Sequence, residues 1–239
     1  MTEQQQIIML KMPNSVELLE QMLANEECLC EKAEVAMFSA PNSVELVKTY
    51  ISYYPLSGRA KEMMWEHENL GEVWAMYIQK HWRYLTADDM SKILAHPDAK
   101  NLAWVLMRHV PCNNFPMSVV YKMCALDINL VDTYIREVSW GELNLFIESV
   151  EPYYLNAERA MVLALTHHRD LKLNEDQQKA ILRLKNAEEL IRIYVHNERD
   201  TSLNDYYRRF RLCDEFVEKM ATMSDGAELM KICIKYDLM

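Results

Sequence analysis

Glycine, proline and long apolar runs are all scarce in this sequence of 239 residues, which has four glycines and seven prolines. Sandwich folds, phosphate-binding loops and dinucleotide-binding domains need more glycine than this for their turns and close backbone approaches. No stretch approaches the roughly 20 apolar residues of a membrane-spanning helix. The first residues also lack the basic start and the apolar core of a secretory signal. We therefore expect a cytoplasmic protein that is not embedded in a membrane.

The six cysteines and seven histidines do not have the spacing of a catalytic or metal-binding motif. Cys28 and Cys30 are the closest cysteines, and on a helix residues two apart point away from each other. Free thiols are the favoured interpretation, with a zinc site or disulfides as the alternative. No histidine has the partner four residues along that a His-Glu-x-x-His site requires. The sequence therefore predicts no catalytic residue, no metal and no cofactor.

The net charge of −10 limits the classes of partner. Acidic proteins repel a phosphate backbone, so broad nucleic-acid binding is not expected. The same charge is compatible with basic protein partners, although solubility alone also accounts for it.

An internal repeat is the main signal in the sequence. The six letters Pro-Asn-Ser-Val-Glu-Leu occupy residues 13–18 and return unchanged at residues 41–46. An Asn or Asp, followed three residues later by Glu and then by Leu or Val, is typical of a capped helix start. Related starts recur at 14, 42, 69, 98, 127, 156, 186 and 225. All but the last interval measure 27 to 30 residues, so the sequence predicts one amphipathic helix per repeat at these starts.

A second helix is predicted between successive starts. Several such helices follow a leucine and a capping residue, at Ser57, Thr86, Asn174 and Asn204. Helices of about 12 residues are marginal in water, and they need neighbours to cover their apolar faces. Stacking of successive two-helix units supplies that cover. We therefore predict an all-α fold: a right-handed α-α superhelix of about seven two-helix repeats plus a terminal helix, as one continuous domain over residues 1–239.

This pattern resembles the α-solenoid superfamily, which contains the HEAT, armadillo and tetratricopeptide repeats. The resemblance covers roughly residues 13–239 and is one of class, because the unit is shorter than those of the three families and lacks the tetratricopeptide signature. It implies an extended surface that binds a protein or peptide, without chemistry of its own. The alternatives are nucleic-acid or damaged-base recognition, as in some HEAT-like proteins, or a self-assembling structural protein.

Seven residues are candidates for partner binding because Arg and aromatic side chains dominate interfaces. They are Tyr206, Arg208, Arg209, Arg211, Trp74, Trp82 and Trp104. The arginines with Tyr206 are also the only feature of the sequence that favours nucleic-acid binding. The competing interpretation of this segment is an ordinary solvent-exposed helix face. Apolar residues near the end of the chain, Met230, Ile234 and Leu238, suggest either a folded-back cap or a homodimer through the C-terminal helix.

Overall fold

The computed structural model describes residues 1–66, 70–150, 155–201, 211–236 and 238–239. Every regular element in these residues is a helix, which confirms the prediction of an all-α fold. The chain forms two compact units, Met1–Pro111 and Cys112–Met239.

The first unit contains eight α-helices in its described residues, and they pack in two rows. In one row α1 contacts α3, and α3 contacts α5. In the other, which we call the even row, α2, α4, α6 and α8 contact one another in that order. The helices are α1 (Glu3–Leu10), α2 (Ser15–Ala24), α3 (Glu31–Met37), α4 (Ser43–Ile51), α5 (Gly58–Trp65), α6 (Leu70–His81), α7 (Ala87–Ile93) and α8 (Ala99–His109).

The second unit repeats this arrangement. Its even row runs α10, α12, α14, α16, and its other row runs α11, α13, α15. The last two helices, α15 and α16, pack against each other as a pair. The helices are α9 (Met117–Leu126), α10 (Ile128–Glu137), α11 (Trp140–Glu148), α12 (Ala157–His167), α13 (Glu175–Leu182), α14 (Ala187–Thr201), α15 (Asp214–Ala221) and α16 (Gly226–Lys235).

Each even-row helix begins one residue after a start that the repeat predicts. The first residues of these helices are 15, 43, 70, 99, 128, 157, 187 and 226. The apolar positions expected further along are also buried. Tyr50, Tyr77 and Tyr194, each eight residues after a start, are at most 2% exposed. The repeat in the sequence therefore marks one row of helices.

The predicted side-chain caps of these helices are wrong at Asn14, Asn42, Asp98 and Asp225, none of which makes a capping bond. A tight turn leads into the helix there. It leaves the start residue outside the extended conformation that capping requires, as at Asn14 with φ −98° and ψ 27°. At three of these starts the first helical N–H instead donates to the carbonyl three residues back, as Ser15 does to Met12 at 3.1 Å.

Several start residues link neighbouring repeats instead. The Asn42 amide lies 3.4 Å from the Ser15 hydroxyl, and the Asn156 amide donates to the Cys124 carbonyl at 2.8 Å. The Asn186 amide donates to the Glu158 carbonyl at 3.4 Å. Because each bond crosses to a residue 27 to 32 positions earlier, Asn at these three starts contributes to packing between repeats.

The capping predictions hold for the helices of the other row. Ser57 accepts from the Ala60 N–H, and Thr86 and Asn174 each form a reciprocal capping box. The predicted cap at Asn204 lies outside the described residues.

A buried polar side chain ties successive helices of this second row together. The Gln6 carbonyl oxygen accepts from the Cys30 N–H at 2.9 Å, and that of Gln178 accepts from the Cys213 N–H at 2.7 Å. A Glu34 carboxylate oxygen accepts from the Ser57 N–H at 2.8 Å. In each case the donor is the residue immediately before the next helix of the row. These bonds satisfy backbone groups that would otherwise be buried without partners.

Candidate functional site

The three candidate tryptophans lie in different environments of the first unit. Trp74 on α6 is fully buried and stacks on Trp65, with ring centroids 4.0 Å apart. It therefore belongs to the core and presents no surface to a partner in this structure. Trp82 is half-buried, with the Arg83 guanidinium 5.3 Å from its ring centroid. Trp104 on α8 is 36% exposed. No ring contact joins Trp82 to Trp104 among the described residues.

The arginine-rich candidate segment is only partly described. Tyr206, Arg208 and Arg209 lie outside the described residues. Arg211 is exposed, and its backbone carbonyl accepts from the Gln178 side-chain amide at 3.1 Å. Its guanidinium is thus placed on the surface just before α15.

A cleft on the even row of the second unit gathers basic and polar side chains from α12, α14 and the residues after α12. Its volume is about 340 Å³, and it is lined by Thr166, Arg169, Arg192, Ile193, His196 and Asn197. We call it the α12–α14 cleft. It was not predicted, because its residues come from two repeats and only their stacking brings them together.

The walls of the α12–α14 cleft are held by bonds between helices. The Asn197 amide donates to the Leu165 carbonyl at 2.7 Å, which joins α14 to α12. The Arg192 guanidinium donates to both carboxylate oxygens of Asp225, at 2.6 and 3.0 Å, which joins α14 to the start of α16. Bidentate pairs of this kind fix orientation as well as charge. The cleft is therefore a defined feature of the stacked row.

The charge of the α12–α14 cleft is positive at its rim. Hydrogen bonding to Arg192 holds the pKa of the Asp225 carboxyl below its usual value, so this carboxylate stays ionised beside the guanidinium. Arg169 and His196 are both exposed, and neither forms an ion pair within the described part of the chain. These two side chains are available to an incoming acidic group.

Two histidines next to this cleft have structural partners. His167 Nε2 lies 2.7 Å from an Asp132 carboxylate oxygen, and His168 Nε2 lies 2.7 Å from the Ile135 carbonyl oxygen. Both contacts join the end of α12 to α10, so these adjacent histidines help to hold the row together.

A second, more apolar cleft lies on the outer face of α1 and α2 in the first unit. Its volume is about 560 Å³, and its lining includes Ile8, Met9, Met12, Leu18, Met22 and Glu27. We call it the α1–α2 cleft. Ile8 and Met12 are 52% and 41% exposed, so the cleft presents large apolar side chains together at the surface. Methionine side chains adapt readily to different contact surfaces.

The turn at one edge of the α1–α2 cleft is strained. Glu26 has φ 61°, in the left-handed region that favours glycine. It occupies the turn after α2, where the Glu27 N–H donates to the Met22 carbonyl and the Glu26 N–H donates to the Leu23 carbonyl. This is the Schellman arrangement, in which glycine normally takes the place of Glu26.

The described residues do not assemble a recognisable reactive centre. Burial raises the pKa of the Cys112 thiol to about 11, that of Cys124 to about 12 and that of Cys233 to about 11. Such thiols are poor nucleophiles, because the thiolate is the reactive form. In the part of the chain that the structure covers, no three His, Cys, Asp or Glu side chains form a group suited to a metal ion.

No helix within the described ranges is long and apolar enough to span a bilayer. No protein-family model, curated protein or solved structure matches the chain.

Proposed function

We propose that this chain is a non-catalytic scaffold that binds a protein or peptide segment on a row of stacked helices. In this proposal the helix pairs form one right-handed α-α superhelix of the α-solenoid class, with about seven two-helix repeats and a terminal helix as one continuous domain. The recurrence of even-row helices supports it, since each packs on the helix one repeat earlier within its unit.

The observation that carries the proposal is the α12–α14 cleft. Repeat proteins bind segments along surfaces to which several repeats each contribute a few side chains. This cleft has that form: Arg169 follows α12, whereas Ile193 and His196 belong to α14. Ile193 supplies an apolar floor, and the two exposed basic side chains supply specificity.

The chemistry of the cleft favours an acidic segment as the ligand. Arginine binds carboxylates and phosphates through paired donors, and a protonated histidine adds a second positive charge. The Arg192 guanidinium is already engaged by Asp225, so it acts mainly to orient the wall. We therefore expect a short peptide with a carboxylate opposite Arg169 and an apolar residue against Ile193.

A peptide selection tests this function directly. Random peptides displayed on phage are selected on the immobilised protein, with the Arg169→Glu variant as the comparison. The Arg183→Glu variant is the matched control, because Arg183 is also exposed but follows α13, away from the cleft lining.

The wild type and Arg183→Glu should enrich peptides that contain Asp or Glu. Binding of these peptides should fall at least tenfold in Arg169→Glu, because a repulsive charge replaces the anchor. Selections that enrich no peptide, or that give the same peptides with Arg169→Glu, would contradict the proposed function.

A further inference from the structure

One apolar position is buried in every even-row helix except the last. It lies nine residues after the start, or eight in α10, and its occupants from α2 to α14 are at most 5% exposed. They are Leu23, Ile51, Ile78, Met107, Ile135, Leu165 and Val195. In α16 the same position is Ile234, which is 65% exposed. This position of α16 therefore carries an apolar residue as in the other helices, but it is not covered, whereas Leu229 and Cys233 of the same helix are buried.

The α1–α2 cleft is an uncovered surface at the first helix pair of the chain. Leu18, four residues after the start of α2, is half-buried, whereas its equivalents Leu46, Leu102 and Leu190 are at most 1% exposed. The cleft thus exposes apolar surface of the kind that helix pairs bury elsewhere in the chain. An occupant with a repeat-like apolar face would fit it.

Two ion pairs between successive even-row helices share the same pattern of positions. Lys48, six residues after the start of α4, contacts Glu72 in the first turn of α6 at 2.6 Å. Arg192, six residues after the start of α14, contacts Asp225 at the start of α16 at 2.6 Å. In both cases a cation in the middle of one helix reaches an acid at the beginning of the next.

At the positions of this pattern, α16 and α2 carry opposite charges. Lys231 lies six residues after the start of α16, is exposed and has no ion pair in the described residues. Glu17 lies in the first turn of α2 and is likewise exposed. Four exposed carboxylates lie on or just after α2, whereas the exposed charges of α16 are mainly basic. They are Glu17, Glu20, Glu26 and Glu27 on the one side, and Lys231 and Lys235 with Glu228 on the other.

We propose that the exposed face of α16 in one copy of this chain packs on the α1–α2 cleft of a second copy. Ile234 enters the cleft beside Ile8 and Met12, and Lys231 pairs with Glu17 of the second copy, which continues the pairing seen between α4 and α6. The contact joins two different surfaces, so it is head-to-tail and can extend beyond a dimer.

Charge favours this arrangement over a symmetric pairing of two α16 helices. A symmetric contact would bring Lys231 and Lys235 of one copy against the same residues of the other, and like charges at an interface are repulsive. A head-to-tail contact places these lysines against the carboxylates of α2. This association does not involve the α12–α14 cleft, so it stands or falls independently of the proposed function.

A mixing experiment with two surface variants tests the proposal. Ile234→Asp blocks the α16 face, and Ile8→Asp blocks the cleft. Both side chains are more than half exposed, so we expect both variants to fold, with thermal unfolding midpoints near that of the wild type. Sedimentation velocity is measured for the wild type, each variant alone and an equimolar mixture, up to about 1 mM, where weak contacts become populated.

The expected result is specific to a head-to-tail contact. The wild type should show a mass that rises with concentration past that of a dimer, and each variant alone should remain monomeric. The mixture should form a dimer, because each variant retains the surface that the other lacks. A monomeric wild type, a monomeric mixture or an Ile8→Asp variant that still dimerises would overturn the proposal.

A charge exchange tests the register of the contact. The Lys231→Glu variant should associate about tenfold more weakly than the wild type, since it opposes Glu17 of the next copy. Adding Glu17→Lys to the same chain should restore association, because each copy then presents both exchanged charges. A double variant that associates no better than Lys231→Glu would overturn the proposed pairing.

Discussion

Glu26 shows how a single residue can hold the backbone in a conformation that its side chain disfavours. The turn after α2 requires φ near 61° there, while both Schellman hydrogen bonds are formed. A residue with a Cβ atom is strained in this region, and glycine is not. Strained residues often lie at functional surfaces, and Glu26 adjoins Glu27 on the edge of the α1–α2 cleft.

Replacing Glu26 by glycine should therefore stabilise the protein. We expect Glu26→Gly to raise the free energy of unfolding by about 1 kcal/mol. The substitution removes the backbone strain of the folded state, and this gain exceeds the entropic stabilisation that glycine gives to the unfolded chain. Urea denaturation measures this as a higher midpoint with an unchanged slope. The control is Glu27→Gly, which removes the same charge at a residue with negative φ and should give no gain. Equal effects of the two substitutions would refute the strain explanation.

Asp89 is a second residue whose environment has a measurable consequence. Its carboxylate accepts from the Thr86 N–H and the Lys61 ammonium, both at 2.9 Å. Burial alone would raise the pKa of this carboxyl, but the bonds from Thr86 and Lys61 outweigh it and hold the pKa below its usual value. A depressed pKa stabilises the fold above the ordinary value near 4, and this stabilisation is lost as the pH falls through the lower folded value.

The Asp89→Asn variant should lose this acid-dependent part of the stability. At pH 7 we expect it to be less stable by roughly 1–2 kcal/mol, because a charge-assisted hydrogen bond is removed. Below about pH 4 the difference from the wild type should shrink. Thermal unfolding followed from pH 7 to pH 2 gives both quantities. Asp88→Asn, at a neighbouring carboxylate that is 72% exposed, should keep the wild-type pH profile. An unchanged difference at low pH would contradict the assignment.

At the scale of single helices, many even-row helices begin differently from those of the other row, although α10 begins at Asp127, an extended residue that caps the helix. Helices such as α13 begin at an extended residue whose side chain caps the first turn. Even-row helices such as α4 begin from a tight turn, and the start residue Asn42 contacts Ser15 of the preceding repeat. An Asn before a helix is therefore a reliable marker of where the helix begins, but its hydrogen bond depends on the geometry of the preceding turn.

The two kinds of start predict different responses to alanine. Asn174→Ala should lower the free energy of unfolding by about 1 kcal/mol, because it removes the capping box with Gln177. Asn14→Ala should change it by only a few tenths of a kcal/mol, since the Asn14 side chain makes no capping bond. Chemical denaturation of the two variants is the measurement. A larger loss for Asn14→Ala would show that this side chain stabilises the helix start after all.

The sequence predicts the positions of most helices, and it fails where the determining contact is non-local. The starts at Asn14 and Asn42 follow from identical letters 28 residues apart. The helices that begin after Cys30 and Cys213 carry no capping signal, because the N–H of each cysteine is satisfied by a glutamine of the preceding helix in the row. Cysteine is not a capping residue, and a partner 24 or 35 residues away cannot be read from the local pattern.

The candidate site was predictable only as a type of surface. Arginine with an apolar neighbour indicates an interface, but the α12–α14 cleft depends on Arg169 and His196 meeting across two repeats. Trp74 illustrates the opposite problem. Its residue type is typical of interfaces, yet Trp74 lies three residues before the buried Tyr77 on the same helix and is itself part of the core. Residue type alone does not separate these cases.

At the scale of the whole molecule, the proposed superhelix requires all helix pairs from α1–α2 to α15–α16 to stack in one series. Helices in contact lie 8–10 Å apart, so such a series is roughly 70–80 Å long. Its radius of gyration should exceed about 22 Å, whereas a compact globule of 239 residues has a value near 18 Å. The two architectures are therefore distinguishable in solution without a high-resolution structure.

Small-angle X-ray scattering is the most direct measurement of this claim. A concentration series of the Ile234→Asp variant, extrapolated to zero protein, removes any contribution from association. The proposed superhelix should have a radius of gyration above about 22 Å and a maximum dimension near that of the stacked series. A radius near 18 Å, with the scattering profile of a compact globule, would contradict the superhelix and the binding surface that depends on it.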